Sequence, residues 1–456
     1  MSVNSIGPVR HLTVSGDGKD VTGQAGTHLL GRIAGQLGIA EGASTALADT
    51  VTRASAHDRG RIVTQVAMMI AAGGRCLTDL KTLRDQPVMF GEVASDTTVW
   101  RAMHQVDEQH LHALIGVRQQ ACRRLLQEAD VDEVVLDIDA SLVGSGSDDK
   151  QGAAANFKGG FGFHPMLCFI EPLGLAAGML RPGNATANTI ADQVAVLDQA
   201  IGSLPKVWQQ GHRPGDDPDQ VARVLRVRAD TAAGGPTMLK KLADRNLVFS
   251  VGMRVSEVAS TEIRDIPETA WQPARNVDGK PREGAQVCEA PGLVPANAPA
   301  GTRAIVRRER PHPGAKLRLW DYNGLRHQVT LTNDPDPDIV ALERFHRQHA
   351  QVENRIKQLK DCGLTRLPLT DYNANRVWFE QILVASLLLA GLRVLIQDPE
   401  LSVAEPRRLR YTLLHVAARI VRHARRTTLR LDRSWPWTQV LVAAHERLPG
   451  WQPTPA

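Results

Sequence analysis

The chain has 456 residues, enough for two or three domains. Its 43% hydrophobic and 23% charged residues exclude a disordered or fibrous chain, and its 4% aromatics argue against a surface built mainly on base-stacking rings. The formal net charge is +5, but residues 401–456 hold ten Arg, no Lys and three acids, a local +7 that leaves −2 on the rest. The basicity is thus C-terminal and points to a polyanion such as nucleic acid, with a solvated arginine-rich helix as the plain alternative. The longest apolar run, 382–392, is too short to span a bilayer, and the opening residues carry no apolar secretory segment. A soluble, cytoplasmic protein that keeps off membranes is expected. The five cysteines are scattered and form no C-x-x-C, so neither a disulfide framework nor a zinc site is indicated.

Residues 1–24 are polar and Gly-rich and read as a loosely held arm. From about Thr27 to Glu128 apolar residues recur at three and four, as in Ile62-Val63-Val66-Ala67-Ile70, which predicts helices. Ser95-Asp96-Thr97-Thr98 after Gly91 reads as a capped helix start, and that helix suits either DNA insertion or a plain bundle. At Val134 the period changes, and Val134–Ser141 predicts a buried strand. Gly-rich residues 144–162 predict loops or a hairpin, followed by strands at Met166–Glu171 and Leu175–Leu180 and a helix from Thr189 to about Ile201. A strand at Val224–Arg228, then Asp230 and a helix over Pro236–Asp244, complete a run that suggests an α/β layered domain. Val248–Val255, Arg303–Arg308, Lys316–Trp320 and Gln328–Leu331 predict short strands of a β-rich insertion. Helical periodicity resumes at Ile339 and runs, with breaks at Pro368, Pro399 and Pro406, to about Arg447.

Strand alternation puts Asp137, Asp139 and Ser141 on one face and Leu136, Ile138 and Ala140 on the other. A carboxylate at the centre of an apolar strand is costly unless paired or metal-bound. Asp139 lies nearer the strand end, and Asp230 follows the end of another strand, where ligands collect in α/β sheets. A third acid, Glu353, lies on the predicted helix Phe345–Lys360. At helical spacing His346, His349, Glu353 and Lys360 fall within roughly 60° of one another. The plain alternative is a solvated face with a Glu353–Lys357 pair at i,i+4. Three converging carboxylates suit Mg²⁺, a hard ion that takes oxygen ligands and keeps room for water and substrate phosphate. Two such ions can activate a water or 3′-hydroxyl against a phosphodiester, with nearby basic residues holding DNA phosphates.

The order Asp139, Asp230, Glu353, with a β insertion between the second and third acids, resembles the DDE transposases of bacterial insertion sequences. Leu136–Ser141, Phe157–Pro165, Leu180–Asn184, Arg228–Ala232 and Val352–Asp361 together look like the blocks of insertion-sequence family 1380, within the family-4-like group. The likeness runs from the helical N-terminal region to Trp435-Pro436-Trp437. It implies an α/β fold with an RNase H-like catalytic core that binds Mg²⁺ or Mn²⁺ and cuts and rejoins transposon ends. By motif position Asp139, Asp230 and Glu353 match the catalytic, metal-holding acids, with Asp137 the rival for the first. The group's Tyr-x2-Arg-x3-Glu-x6-Lys signature is met at Glu353 and Lys360, while its Tyr and Arg positions are His346 and His349, whose charge would depend on pH near ~6.5. Candidate DNA contacts are Lys360, His346, His349, Lys357 and Arg355, with Lys158, His164 and Arg181 suited equally to DNA contact or to shaping their turns.

The resemblance divides the chain into a helical DNA-binding domain (1–130), the first part of the core (131–246), the β-rich insertion (247–337), the second part of the core with the Glu helix (338–398), and a basic helical C-terminal region (399–456). It implies terminal inverted repeats and target DNA as partners, a homodimer in the synaptic complex and a nucleoid-associated place in a bacterium. No Gly-x-x-x-x-Gly-Lys-Ser/Thr loop occurs, so no nucleotide cofactor is expected. A catalytically inactive repeat-binding protein and a metal-dependent nuclease that cuts without joining are the alternatives.

Overall fold

The helical periodicity of the N-terminal quarter folds as α1 (Thr27–Gln36), α2 (Ile39–Ala46), α3 (Arg59–Ala71), α4 (Asp96–His104) and α5 (Glu108–Glu128). The computed structural model describes residues 14–51, 57–311, 314–315, 321–424 and 426–448; the strand expected at Lys316–Trp320 and the first thirteen residues of the expected arm lie outside them. Helix α4 starts where Ser95 accepts the Thr98 N–H at 3.3 Å, and α5 where Asp107 accepts the His110 N–H at 2.9 Å, each side chain satisfying an otherwise orphaned backbone donor.

The period change at Val134 marks the start of the core sheet: β1 (Val135–Ala140), β2 (Met166–Glu171), β3 (Leu175–Met179), β4 (Arg226–Ala229) and β5 (Val248–Met253). Strand β1 pairs antiparallel with β2 and parallel with β4, and β4 pairs parallel with β5. The order β3-β2-β1-β4-β5, three antiparallel strands followed by two parallel ones, is that of the RNase H-like core. Helices α6 (Ile190–Gly202) and α7 (Pro236–Ala243) pack on it. The Gly-rich stretch after β1 forms a separate small sheet of Val143–Gly144, Ala154–Ala155 and Phe161–Phe163.

One expectation changes here, and the insertion's place in the sheet becomes visible. Val248–Met253, placed by its apolar run in the insertion, is the fifth core strand. The insertion strands β6 (Gln272–Arg275), β7 (Pro281–Glu289), β8 (Arg303–Glu309) and β9 (Arg326–Thr332) then continue the same sheet, because β9 pairs antiparallel with β5 from Val329↔Met253 to Thr332↔Ser250.

After the insertion come α8 (Ile339–Arg347), a 3₁₀ turn at Gln348–Ala350, α9 (Gln351–Leu359) and α10 (Tyr372–Ile396). The helix expected over Phe345–Lys360 is therefore present but tightens to a 3₁₀ turn at Gln348–Ala350, with the backbone right-handed helical on both sides. The guanidinium of Arg228 accounts for the tightening, bonding the Phe345 carbonyl and the Gln348 side chain at 3.2 Å each and drawing on a carbonyl that a continuous α-helix would use. Helix α10 is long and apolar enough to cross a bilayer, with an 18-residue stretch of mean hydropathy 1.9, yet 83% of that stretch is buried inside the protein as a core helix. It packs on α1, α3, α5 and β3, and the buried Arg118–Glu380 pair (Nε–Oε1 2.5 Å) ties it to α5. The N-terminal helices thus share one hydrophobic core with the sheet-bearing half of the chain.

The C-terminal region is a further departure from the expected helices. A hairpin of β10 (Ala418–His423) and β11 (Arg426–Leu431) lies there, extended by Val21–Thr22 of the N-terminal segment and followed by a helix over Thr438–Arg447. Ile420-Val421 and Thr427-Thr428 are β-branched pairs, which favour the pleated form.

Candidate active site

Alternation places Asp137 and Asp139 on one face of β1, and the parallel register pairs Asp137 with Arg228 and Ile138 with Ala229 of β4. Asp139 and Asp230 consequently emerge side by side where the two parallel strands end. Asp230 is exposed and caps the turn Thr231–Ala233, its carboxylate accepting the Ala232 N–H at 2.9 Å. Glu353 is exposed on the first turn of α9, which packs on β1.

One step back along the same strands lies a buried ion network. Arg228 grips Asp137 with two bonds, Nε–Oδ1 at 2.8 Å and Nη2–Oδ2 at 2.6 Å, and His349 Nδ1 meets Asp137 Oδ1 at 2.8 Å. Burial would push the Asp137 carboxyl up, but the His349 and Arg228 hydrogen bonds outweigh it and hold the group below the usual carboxylate range. Each member stands close in sequence to an acid of the site: Asp137 two residues before Asp139, Arg228 two before Asp230, His349 four before Glu353. The network ties together the three elements that carry those acids, and it occupies Asp137, the rival for the first position.

Asp139 behaves differently. Burial pushes its carboxyl up to about 6, and the negative charges of Asp230 and Glu353 add to the effect, opposed by the Ala140 N–H at 2.7 Å and by His349. Asp139 therefore senses the negative charge of both other acids. That donor set, all hard carboxylate oxygens with uncompensated negative charge, fits a divalent cation. Among the described residues no three His, Cys, Asp or Glu side chains close around one point. Mg²⁺ needs only one or two protein carboxylates beside water and phosphate oxygens, so an open arrangement of this kind suits it.

A cleft of about 820 Å³ opens next to Asp230, bordered by Arg254, Arg307, His346, Arg347 and His349. Arg307 and Arg347 share the buried Glu343 at 3.2 and 3.3 Å. Arg254 is exposed, makes no ion pair among the described residues, and also borders a second cleft with Phe157, Asn184 and Thr231. It was missed in the sequence, although it follows the end of β5 as Asp230 follows β4.

The predicted DNA contacts divide. Lys158 is exposed, 5.7 Å from the Phe157 ring, and Lys360 is half-buried; neither has a carboxylate partner among the described residues. Lys357 is exposed in a surface pair with Glu405 at 2.7 Å, an interaction that competes little with solvent or phosphate. The other candidates make bonds within the fold. Arg181 is 3% exposed and bonds the His164 and Thr186 carbonyls and Asp192, shaping its turn. His164 is buried with Nδ1 at 2.6 Å from the Ala185 carbonyl oxygen. Arg355 is committed to Glu171 through two bonds of 2.7 and 2.6 Å, which pin α9 to the end of β2. His349 belongs to the Asp137 network. His346 Nδ1 lies 3.1 Å from the Ser250 hydroxyl, and burial, with the nearby His349, pushes it down to about 3, so it carries no charge at neutral pH.

A family model described as transposase DDE domain group 1 matches residues 4–453. No curated protein matches the chain. Among solved structures, the chain is similar to a piggyBac transposase in a synaptic complex with hairpin DNA, at 11% identity and a TM-score of 0.41, over 84% of this chain and 77% of that one.

Proposed function

The chain belongs to the transposase DDE domain family, group 1, and from that premise we propose that it binds the terminal inverted repeats of a mobile DNA element, cuts the element's ends and joins them to target DNA. The observation that carries this reading is the side-by-side exit of Asp139 and Asp230 from adjacent parallel strands, with Glu353 close enough to raise the Asp139 carboxyl. The blocks around these acids support a finer placement in insertion-sequence family 1380.

In this reading Asp139, Asp230 and Glu353 hold divalent cations as oxygen donors. A bound Mg²⁺ or Mn²⁺ supplies Lewis acidity at the scissile phosphodiester and makes a water or 3′-hydroxyl a competent nucleophile. The chain's own residues do the positioning. Arg254 and Lys158, charged and without carboxylate partners among the described residues, hold phosphates near Asp230, where Arg254 and the neighbouring Phe157 border one cleft, and Lys360 does so two turns beyond Glu353. The Arg228–Asp137–His349 network keeps β1, β4 and the α8–α9 junction in fixed relation, so that the acids meet the backbone in one geometry. Two ends must be joined, so at least two copies act together.

The test is strand transfer. A duplex bearing the sequence that flanks this gene, supplied pre-cut at the element's end with Mg²⁺, is expected to join to a target duplex. Cutting of the intact duplex with no joining of the pre-cut one would make the protein a nuclease; binding without either reaction would make it an inactive repeat-binding protein.

A further inference from the structure

We propose that the outward face of the β10–β11 hairpin docks on the phosphate backbone of duplex DNA. The inference rests on the reading of the chain as an enzyme of DNA and assigns that partner a surface outside the acid site. The register pairs Arg419↔Arg430, Val421↔Thr428 and His423↔Arg426 on one face, and Ala418↔Leu431 and Ile420↔Leu429 on the other. The second face is the hairpin's attachment at its base, where Ala418 is buried and Leu429 and Leu431 pack against the core, and toward the tip it carries the exposed pair Arg422↔Thr427. On the first face Arg419, His423, Arg426, Thr428 and Arg430 are all exposed.

These arginines, like the exposed Arg422 and Arg433, differ from four others of the basic C-terminal region. Arg407 pairs with Asp361 at 2.8 Å, Arg408 with Glu400 at 2.7 Å, Arg410 bonds the Ala71 and Asp361 carbonyls, and Arg447 bonds those of Leu395 and Ile396. They hold the fold together. Arg419, Arg426 and Arg430 make no ion pair among the described residues. Moreover, Arg419 and Arg430 face each other directly across the ladder, a like-charge arrangement that destabilises a hairpin. A polyanion reverses the sign of that interaction, because each phosphate brought between the two guanidinium groups accepts hydrogen bonds from both. Geometry agrees: six-residue strands span about 20 Å and lie about 5 Å apart, and beyond Arg419, where the pairing with Val21–Thr22 ends, the hairpin is a two-stranded ribbon of the size that the roughly 12 Å major groove of duplex DNA admits between its phosphate rows. A second copy of this chain would have to offer a matching acidic face, and charge complementarity favours DNA.

The experiment uses the full chain and a random-sequence duplex of a few helical turns, with affinity measured across a salt series. Arg419→Ser/Arg426→Ser/Arg430→Ser is expected to weaken binding and to reduce the slope of log K against log salt by about 2–3, at ~0.9 for each phosphate no longer neutralised. The matching Lys variant, which keeps the charge, is expected to restore most of both. The Ser variant should melt no lower than wild type, since its face is relieved of a repulsion, and this separates weakened DNA binding from unfolding. Unchanged affinity and slope in the Ser variant would overturn the proposal. So would a change from dimer to monomer in sedimentation with duplex binding intact, which would assign the face to a second copy. If wild type joins element ends while the Ser variant keeps full duplex affinity, the hairpin assignment falls and the transposase reading stands; a wild type that binds no duplex at all overturns both.

Discussion

Asp137 and Asp139 lie two residues apart on the same strand face, yet their surroundings give them opposite roles. Asp137 is fully buried and anchors Arg228 and His349, so its loss strands a buried guanidinium. Asp137→Asn is expected to destabilise the protein by about 3–5 kcal/mol, the usual consequence of breaking one side of a buried pair. Asp139→Asn removes a carboxyl that its neighbours already oppose and is expected to leave the metal-free protein at least as stable as wild type. Thermal or urea unfolding of the two variants checks this contrast, and equal destabilisation would contradict it. His346 supplies a pH signature. Its folded-state value of about 3 lies below the ~6.5 of an unfolded histidine, so between those values only the unfolded chain takes up the proton. Stability from this residue is present above pH ~6.5 and falls away as the pH drops toward 3. His346→Asn should flatten the acid limb of the stability profile, an outcome that unfolding curves at a series of pH values can read. The acids were legible in the sequence because strand ends and chain order mark them. The partners were not, because Arg228 reaches Asp137 across 91 residues and Arg355 reaches Glu171 across 184, separations that no local pattern encodes.

At the level of elements, the periodic signals identified most helices and strands, and what they missed was connection. An apolar run such as Val248–Met253 announces a strand but not whether its neighbour is parallel or antiparallel, so its place beside β4 in the core could not be read from it. The 3₁₀ turn between α8 and α9 has no Pro or Gly; its cause is a guanidinium from a distant strand. The C-terminal hairpin carried a signal in its β-branched pairs, which the surrounding helical spacing masked. The turn after α9 has a different origin. Gly363 stands at φ 98° inside the buried segment Asp361–Leu364, with its nearest neighbours, Ile382 and Ile70, 3.8 Å from where a Cβ would lie. Space is therefore sufficient and only the backbone conformation resists a side chain. Gly363→Ala is expected to cost about 1–2 kcal/mol, read as a lowered Tm, without altering duplex binding.

For the molecule as a whole, the modest net charge of +5 resolves into two surfaces and a scaffold. Among the C-terminal arginines, Arg407, Arg408, Arg410 and Arg447 brace the fold while Arg419, Arg426 and Arg430 face outward from the hairpin, and the acid site sits on the sheet at the other end of the electrostatic scale. Helix α10 joins the two halves, buried along its length and locked to α5 by Arg118–Glu380. The fold class was legible from the alternation of strands and helices, and the family from ordered blocks; the sharing of one core by N-terminal helices and the central sheet was not, since it depends on packing between distant segments. The central claim is that Asp139, Asp230 and Glu353 together run the chemistry. The direct measurement is single-turnover cleavage of an end-bearing duplex in Mg²⁺ by Asp139→Asn, Asp230→Asn and Glu353→Gln beside wild type, with binding of the same duplex followed by gel shift. Each variant is predicted to bind as wild type does and to cleave no faster than background; cleavage at the wild-type rate by any one of them would contradict the account.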